Sequence, residues 1–397
     1  MRASEAASEL ERALRLIREQ EPQMMAELLD LVTIPAPPFG EAQRSSRIAE
    51  RFVCAGLSDV TTDEIGNVIG HWKGGAGPRV MVISHMDTVF PAGTPLVPRF
   101  EQDRVFCPGI RDNTAAVASL IRLPQVLAEA DLSLPCDLWL ASSVGEEGLG
   151  DLRGMRKLMA DRGASFDAVV VYDGDLGNVV HCGVGSRRFR ITYRASGGHS
   201  FADFGKPSAV HGLASACAQF CQISLPPEPK TTLNIGEFHG GTSVNAIAQE
   251  AVAIIDMRSV SQTELEKLVI SVLDIFSETA KVFDCGMELE QVGDRPAGML
   301  PADHPLVRTG ADVLHGMGIT PRLSAASTDA NIALSMGIPA ICVGSGLGKN
   351  VHRPDESLYV PSIVDGLQQL VLLLARLDYT VVPRRDVIAT TPDFHTA

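Results

Sequence analysis

Short apolar segments of the type found in buried β-strands alternate along the chain with segments of helical periodicity. The apolar segments cover residues 80–84, 136–142, 168–172 and 340–344. The segments with helical periodicity cover residues 41–55, 114–130, 304–317, 329–336 and 361–377. Strands and helices that alternate in this way form a parallel sheet that is buried on both faces. We therefore expect an α/β domain with a mostly parallel sheet flanked by helices.

Residues 186–296 follow a different order and predict a second domain. Strands are expected at residues 188–194, 232–237, 251–258 and 287–292, and helices at 208–223 and 263–282. The order β-α-β-β-α-β is typical of a ferredoxin-like α+β domain, in which two helices cover one face of an antiparallel sheet. Because 397 residues exceed the usual size of one core, two domains are expected. We assign 1–185 with 297–397 to the α/β domain and 186–296 to an insertion.

The charge of the chain disfavours several classes of partner. With a net charge of −14 and no run of Lys and Arg, it lacks the basic surface that binds nucleic acid or an anionic membrane. Residues 1–20 predict an amphipathic helix without the apolar core of a signal peptide, and no apolar run has membrane-spanning length. The eight cysteines form no C-x-x-C pair and are expected to be reduced. We expect a cytoplasmic protein that acts on a small molecule, with a peripheral tail from about residue 380.

Acidic and imidazole side chains follow the predicted strands, where open α/β sheets place their ligand sites. His85 and Asp87 come after the strand at 80–84 and, being two residues apart, share one side of an extended chain. A metal-bound His commonly donates its second N–H to a carboxylate, and Asp87 is a candidate for the carboxylate that accepts from His85. Taken alone, the pair is explained better by a polar turn.

Asp112 precedes a helix of small residues that begins at Thr114. An Asp in this place is often a helix N-cap, and that interpretation stays open from the residues alone. Its two carboxylate oxygens also suit a bridging ligand, because hydrolases with paired metals hold the ions about 3.5–4 Å apart.

Two further strands are followed by acidic residues. Glu146 and Glu147 come after the strand at 136–142, and adjacent carboxylates repel each other unless a cation is near. Their side chains diverge, so one can bind a metal while the other faces a water; a solvated acidic turn is the alternative. Asp173 and Asp175 follow the strand at 168–172, and either residue is also compatible with a turn. We choose Asp173 as the ligand because it lies closer to the strand.

His352 lies beyond a glycine-rich loop at residues 344–348. Pro354 stands where a phosphate-binding loop needs a helix, so a nucleotide site is rejected. The glycines, Gly344 among them, are instead expected to let the backbone approach a substrate.

Together these segments supply two His and three carboxylates at strand ends, a ligand set that suits zinc or manganese. Competing chemistries lack their motifs: the chain has no G-x-S-x-G elbow, no H-E-x-x-H helix and no Walker loop. The residues therefore predict a metal-dependent hydrolase.

The segment S-H-M-D-T-V at residues 84–89, and the order of the motifs up to residue 356, resemble the paired-metal peptidase family. That family includes peptidase T, aminoacylase, glutamate carboxypeptidase and succinyl-diaminopimelate desuccinylase, and the resemblance is closest to peptidase T-like members. It implies two divalent metal ions, zinc first, with manganese and cobalt as alternatives. The roles that it implies are His85 and Asp173 as ligands of one ion, Glu147 and His352 as ligands of the other, Asp112 as the bridge, Asp87 as the partner of His85, and Glu146 as the general base.

The inserted region resembles the lid of the same family. Gly197-Gly198-His199-Ser200 is similar to the segment whose histidine stabilises the oxyanion, often from the neighbouring subunit, which implies this role for His199 and a homodimer formed through the lid. Asn245 and Arg258 match positions that contact substrate, and a guanidinium suits a bidentate grip on a carboxylate. From the residues alone, we would interpret His199 as an ordinary loop histidine and Arg258 as an exposed charge at the end of a strand.

One departure from the family pattern concerns the residues after Asp112. The family often has Lys-Gly-Gly there, whereas this chain has Thr114-Ala115-Ala116 after Asn113. The metal ligands are unaffected, but the start of the helix and the adjacent substrate pocket are expected to differ.

Three functions are compatible with these residues. The leading expectation is hydrolysis of an amide or peptide bond in a dipeptide, tripeptide or N-acyl amino acid. The second is cleavage of a non-peptide C–N bond, for example in an aromatic amine, by the same metal site. The third is a non-catalytic metal-binding scaffold, and Glu146 argues against it because a residue that is not a ligand has no role there unless a water is activated.

Overall fold

The computed structural model describes residues 2–383, which form two compact units. Within this range the first unit contains residues 2–181, 300–324 and 336–383, and the second contains Cys182–Met299 and Ala325–Ser335. The segment Ala325–Ser335 lies in the second unit, although the sequence interpretation assigned it to the α/β domain. Most of the tail expected from residue 380 lies outside the described residues.

The secondary structure of the described residues is as follows. The helices are α1 (Arg2–Glu19), α2 (Glu21–Val32), α3 (Ala42–Cys54), α4 (Ala115–Ala130), α5 (Arg153–Arg162), α6 (Ala209–Phe220), α7 (Gln262–Val282), α8 (Pro305–Gly316), α9 (Ala330–Ser335) and α10 (Pro361–Leu374). The strands are β1 (Ser58–Thr62), β2 (Val68–Trp72), β3 (Arg79–His85), β4 (Arg99–Glu101), β5 (Arg104–Phe106), β6 (Asp137–Ser143), β7 (Ala168–Tyr172), β8 (Asn178–Gly183), β9 (Gly185–Arg194), β10 (Gly198–His199), β11 (Thr231–Gly240), β12 (Ala246–Ile247), β13 (Glu250–Ser259), β14 (Gly286–Arg295), β15 (Gly298–Met299), β16 (Arg322–Ala326), β17 (Ala340–Val343), β18 (Leu347–Lys349) and β19 (Ser357–Tyr359).

A mostly parallel sheet forms the centre of the first unit. Its strands lie in the order β1-β2-β6-β3-β7-β17-β8. Strand β3 pairs in parallel with β6 and with β7, and β17 pairs in parallel with β7. Every residue of β7 is buried, as expected for a strand covered on both faces of the sheet. The predicted α/β fold is confirmed, and antiparallel strands β2 and β8 border the parallel core.

The register of the parallel strands brings their carboxyl ends to one edge of the sheet. Ile83 on β3 lies opposite Ala141 on β6 and Val171 on β7. Tyr172 on β7 lies opposite Val343 on β17. Because these strands run in the same direction and end at the same level, the loops that follow them start side by side.

Helix α4 is a core helix of the first unit. Twelve of its 16 residues are buried, and it contacts α1, α2 and α10. A helix with so much buried apolar surface packs against neighbours on several sides, which fixes its position in the unit. The chain enters α4 directly from Asp112, Asn113 and Thr114, and the peptide bond between Asp112 and Asn113 is cis. The position of Asp112 is therefore set by a buried helix.

A small antiparallel sheet joins two segments that are distant in sequence. Its strands lie in the order β18-β19-β5-β4. Ser357 on β19 lies opposite Phe106 on β5, and the backbone N–H of Cys107 donates to the carbonyl oxygen of Glu356 at 3.1 Å. This pairing places the loop at residues 350–356 beside the loop that leads to Asp112.

The second unit contains an antiparallel sheet with the strand order β11-β13-β9-β14, and helices α6 and α7 pack on one face of it. On β9, Ile191 and Tyr193 are buried against the helices. The intervening arginines, Arg190 and Arg194 among them, point to the opposite face because successive side chains of a strand alternate. Two helices on one face of an antiparallel sheet confirm the predicted α+β architecture of this region.

Among residues 2–383, no helix has both the length and the apolar character needed to cross a lipid bilayer.

Candidate metal centre

The carboxyl edge of the parallel sheet gathers most of the side chains that the sequence singled out in the first unit. His85 is the last residue of β3, and Asp173 directly follows β7. Glu147 follows β6 through a short turn, Asp112 precedes α4, and His352 lies in the loop between β18 and β19. Five residues from five segments thus meet because three parallel strands end, a core helix begins and the loop between β18 and β19 lies at the same place.

Asp112 lies between the two imidazoles. Nε2 of His85 is 3.1 Å from Oδ1 of Asp112, and Nε2 of His352 is 3.2 Å from Oδ2 of the same carboxylate. On the far sides, Nε2 of His85 is 3.8 Å from Oδ2 of Asp173, and Nε2 of His352 is 2.8 Å from Oε1 of Glu147. Each oxygen of Asp112 therefore faces a different histidine and a different second carboxylate.

Among the described residues, two of the three groups of possible ligand atoms share Asp112. One group is His85, Asp112 and Asp173, and the other is Asp112, Glu147 and His352. Within each group the ligand atoms lie within 4.8 Å of one another. Imidazole nitrogens and carboxylate oxygens are donors that zinc and manganese accept. The donor set and its arrangement fit two neighbouring divalent cations.

The electrostatics of the cluster favour cations. Burial, and the charge of Asp112 close by, raise the pKa of Asp173 to about 6. Hydrogen bonds with Asp112 and Glu147 raise the pKa of His352 to about 10. Burial opposes protonation of His85, but its contacts with Asp112 and Asp87 outweigh burial and raise its pKa well above the usual range. Three carboxylates crowded together hold protons on the imidazoles, as expected where positive charge is needed.

Asp87 is fully buried and fixes the turn that carries the two glutamates. Its Oδ1 accepts the backbone N–H of Glu146 at 3.0 Å, and its Oδ2 accepts the backbone N–H of Glu147 at 2.9 Å. Gly145, just before them, has a φ of 62°, a conformation that favours glycine. The two glutamate side chains therefore project from a turn whose two amides are held by Asp87.

The contact between Asp87 and His85 differs from the expected one. Nδ1 of His85 lies 3.1 Å from the backbone carbonyl oxygen of Asp87, whereas the nearest oxygen of the Asp87 carboxylate is 3.6 Å away. The carbonyl oxygen is thus the closer acceptor for the imidazole, because the carboxylate is occupied by the two amides of the glutamate turn.

Glu356 is a supporting residue to which the sequence interpretation gave no role. Its buried carboxylate accepts three backbone N–H groups, from Gly109 at 3.0 Å, Arg111 at 2.8 Å and Asp112 at 2.9 Å. Burial raises the pKa of Glu356 to about 7. The only sequence signal was an acidic residue four positions after His352, and its partners lie too far along the chain for spacing to identify them.

Arg44 supports the other side of the centre. Its guanidinium is buried, and it donates to the carbonyl oxygens of Ile34 and Met86 and to the hydroxyl of Thr114. It thereby connects the loop after β3 to Thr114, the residue that directly precedes α4. A buried arginine on helix α3 carried no sequence signal for this role.

Gly344 lies in close contact with the chain's own backbone. A Cβ at this position would lie 2.0 Å from the backbone carbonyl oxygen of Asp175. In the same loop, a Cβ at Gly348 would lie 2.6 Å from Cγ of Arg111. The glycines make room for this chain's own backbone and side chains, while the substrate contact expected of Gly344 stays a prediction.

His199 and Asn245 lie together in the second unit. The short strands β10 and β12 pair, and the backbone N–H of Ser200 donates to the carbonyl oxygen of Asn245 at 2.9 Å. Nδ1 of His199 accepts the backbone N–H groups of Phe201 at 3.2 Å and Ala202 at 3.3 Å. Because Nδ1 is an acceptor, the neutral ring carries its proton on Nε2, which is then a hydrogen-bond donor.

Arg258 lies on β13 and is not part of the His199 and Asn245 pair. Its Nε donates to Oδ2 of Asp256 at 2.7 Å, and its side chain is 40% exposed. The guanidinium is therefore anchored at one edge while its other end reaches solvent.

Comparison with known proteins agrees with this geometry. Residues 81–376 match the model of the peptidase family M20/M25/M40. The chain is 26% identical over 345 residues to succinyl-diaminopimelate desuccinylase of Corynebacterium glutamicum, a match that covers 84% of this chain and 91% of the relative. The structure is similar to that of aminopeptidase PepT from Bacillus cereus, with a TM-score of 0.77, 23% identity, and coverage of 90% of this chain and 98% of that one. It is also similar to that of the YXEP protein of Bacillus subtilis, a dinuclear metal-binding peptidase of the M20 family, with a TM-score of 0.70, 15% identity, and coverage of 92% and 100%.

Proposed function

Since this chain belongs to the peptidase family M20/M25/M40 and is a metal-dependent hydrolase of small peptide substrates, we propose that it cleaves a dipeptide, a tripeptide or an N-acyl amino acid with Glu146 as the general base. The observation that carries this proposal is the pair of ligand groups that share Asp112. Their donors would hold two divalent ions, for which we propose zinc.

Specific residues of this chain would hold the ions. His85 and Asp173 face one oxygen of Asp112, and Glu147 and His352 face the other. When bound, the ions lower the pKa of a water and polarise the substrate carbonyl.

The surroundings of Glu146 support its proposed role in transferring a proton from the attacking water to the leaving amine. It is buried next to Glu147, on the turn fixed by Asp87, and it forms a close group with His85 and Glu147. In the proposed reaction its carboxylate takes a proton from the attacking water and delivers it to the nitrogen of the leaving amine. No other acid is needed to protonate the leaving amine, because Glu146 delivers to it the proton that it took from the water.

The second unit supplies the proposed substrate contacts. Nε2–H of His199 is proposed to donate to the oxygen that becomes negative when the carbonyl is attacked. Asn245 is proposed to bind a polar group of the substrate and Arg258 its carboxylate. The anchored and half-exposed guanidinium of Arg258 supports the latter role.

We also propose that the enzyme acts in the cytoplasm as a homodimer joined through the second unit. All eight cysteines are free thiols, which agrees with a reducing compartment. Strands β11 and β14 are the edges of the second unit's sheet, and an exposed edge strand is suited to pairing with another chain. Sedimentation equilibrium of the purified protein tests the dimer.

A metal-replacement assay tests the proposed reaction. The protein is stripped of metal with a chelator, reloaded with zinc, manganese or cobalt, and assayed on dipeptides, tripeptides and N-acyl amino acids. Turnover is expected only after reloading, and Glu146→Gln is expected to lower kcat by about 10²–10⁴-fold while metal content is unchanged. Glu64→Gln, which removes an exposed carboxylate paired with Lys157, is the matched control and is expected to keep full activity. No turnover of any of these substrates by metal-loaded wild-type protein would contradict the proposal.

A further inference from the structure

The segment that joins α2 to α3 contains a tight turn at residues 37–40. The backbone N–H of Gly40 donates to the carbonyl oxygen of Pro37 at 2.8 Å. Phe39, the third residue of the turn, has a φ of 70°. Pro38, the second residue, has its φ fixed at a negative value, so the turn is of type II, and the third residue of such a turn is normally glycine. A bulky side chain therefore occupies a position that suits glycine.

The conformation of Phe39 costs free energy that packing does not return. In the left-handed region the Cβ of an L-residue comes too close to the following carbonyl oxygen, and a bulky residue there is an outlier. The side chain of Phe39 is 70% exposed, so its ring gains little from burial. A strained residue on the surface that contributes little to the core is a candidate for a role in function.

The ring of Phe39 lies on a guanidinium that is itself held in place. Cζ of Arg153 is 4.8 Å from the centroid of the ring. On its other side, Nη2 of Arg153 donates to both oxygens of the buried carboxylate of Glu41, at 2.7 Å and 2.8 Å. The stack on Arg153 fixes one face of the ring, and the rest of the ring reaches solvent.

The same arginine packs against the turn that carries Glu146. A Cβ at Gly145 would lie 2.6 Å from Nε and 2.7 Å from Cγ of Arg153. Near the start of the turn that contains Phe39, the carbonyl oxygen of Ala36 accepts the backbone N–H of Thr88 at 2.9 Å, in the loop that follows β3. All these residues belong to the first unit. The exposed ring is therefore separated from the glutamate turn by one guanidinium.

We propose that Phe39 contacts an apolar side chain of the substrate, on a residue next to the cleaved bond. The inference rests on the proposed function, in which Glu146 acts on that bond. An apolar side chain that covers the ring is removed from water together with the ring's own surface. One methylene in an apolar pocket changes kcat/KM by about 10–200-fold, and the low end of this range applies to a ring on an open surface. The enzyme is therefore expected to prefer leucine to alanine beside the cleaved bond.

The dipeptides Leu-Ala and Ala-Leu, each compared with Ala-Ala, place leucine on either side of the bond. For the metal-loaded enzyme, kcat/KM is expected to be about tenfold higher for one leucine peptide than for Ala-Ala. Phe39→Gly is expected to remove most of that preference, mainly by raising KM for the leucine peptide. Phe39→Tyr keeps the ring and is expected to keep the preference. If Phe39 only shaped the turn, Phe39→Gly would change kcat/KM for all three peptides by the same factor.

The Phe39→Gly protein is expected to stay folded. Glycine relieves the strained φ but adds backbone entropy to the unfolded chain and loses the stack on Arg153, and these effects are of similar size and opposite sign. Tm is expected to change by no more than about 3 °C. Val53→Ala is the control, because Val53 is an exposed apolar residue near the far end of α3, about 18 Å along the helix from Glu41. It is expected to leave the preference for leucine as in the wild type.

Binding is measured separately, so that the outcome does not depend on turnover. Ligand-observed NMR with metal-loaded Glu146→Gln protein compares the three dipeptides, with and without Phe39→Gly. Tighter binding of a leucine peptide that Phe39→Gly abolishes supports the contact, even where no peptide is hydrolysed and the proposed function fails. Equal binding of leucine and alanine peptides, or a preference for leucine that Phe39→Gly leaves intact, overturns the inference whatever the catalytic result.

Discussion

The carboxylate of Glu356 accepts the backbone N–H of Asp112 at 2.9 Å, although 244 residues separate the two positions. With the N–H groups of Gly109 and Arg111, it fixes the loop from which the Asp112 side chain projects. A buried carboxylate that accepts three backbone donors has little freedom to move. The geometry of the proposed metal ligands therefore depends on a residue that is not itself a ligand.

Replacement of Glu356 by Gln is expected to weaken both the fold and metal binding. The amide nitrogen of Gln is a donor, so at least one of the three N–H groups would lose its acceptor, at a cost of about 1–3 kcal/mol. Supporting residues of this kind typically change metal affinity by about 10–100-fold. Thermal unfolding and competition with a chelator measure the two effects. Asp355→Asn, on the exposed neighbour, is the control; equal metal affinity of wild type and Glu356→Gln would contradict the positioning role.

Replacement of Gly344 by Ala is expected to destabilise the first unit severely. The new Cβ would meet the carbonyl oxygen of Asp175 at 2.0 Å, and a backbone atom cannot move aside as a flexible side chain can. A loss of about 3 kcal/mol or more in the free energy of unfolding is expected, measured by urea denaturation. Gly93→Ala is the control, because a Cβ at Gly93 would have no heavy atom within 4 Å and the change is expected to stay within about 0.5 kcal/mol. A stable, fully folded Gly344→Ala protein would contradict the packing role.

Metal binding is expected to release protons and to strengthen as the pH rises from about 6 to about 8. The pKa of His352 is raised to about 10 by hydrogen bonds with Asp112 and Glu147, and His85 is also held protonated. Both imidazolium groups therefore keep their proton at neutral pH when metal is absent, whereas a ligand must be neutral. A higher pH removes the competing protons and raises the apparent affinity. Calorimetric titration with zinc in two buffers of different ionisation enthalpy counts the protons; a binding enthalpy independent of the buffer would disagree with this expectation.

The fold was predictable from the sequence because its signals are local. The runs at 80–84, 136–142 and 168–172 are mostly apolar, as is typical of buried parallel strands, and the structure has β3, β6 and β7 there. The same reasoning predicted that side chains after these strands would meet, since parallel strands end at one edge. His85, Asp112 and Asp173 do lie together, while their roles as ligands stay a prediction.

The supporting contacts were not predictable, because they join segments distant in sequence. Glu356 reaches Gly109 across 247 positions, and no periodicity or spacing links two such residues. The small sheet that pairs β19 with β5 depends on a similarly remote contact.

The metal content of the purified protein tests the central claim most directly. Zinc-loaded wild-type protein is expected to retain two ions per chain after removal of free metal, measured by mass spectrometry of the elements. Asp112→Ala removes the carboxylate that both ligand groups share and is expected to retain less than one ion per chain. Asp175→Ala, on a nearby carboxylate that pairs with Arg111, is expected to retain two. Two ions per chain in Asp112→Ala, or one ion in the wild type under saturating zinc, would contradict a centre built around a shared aspartate.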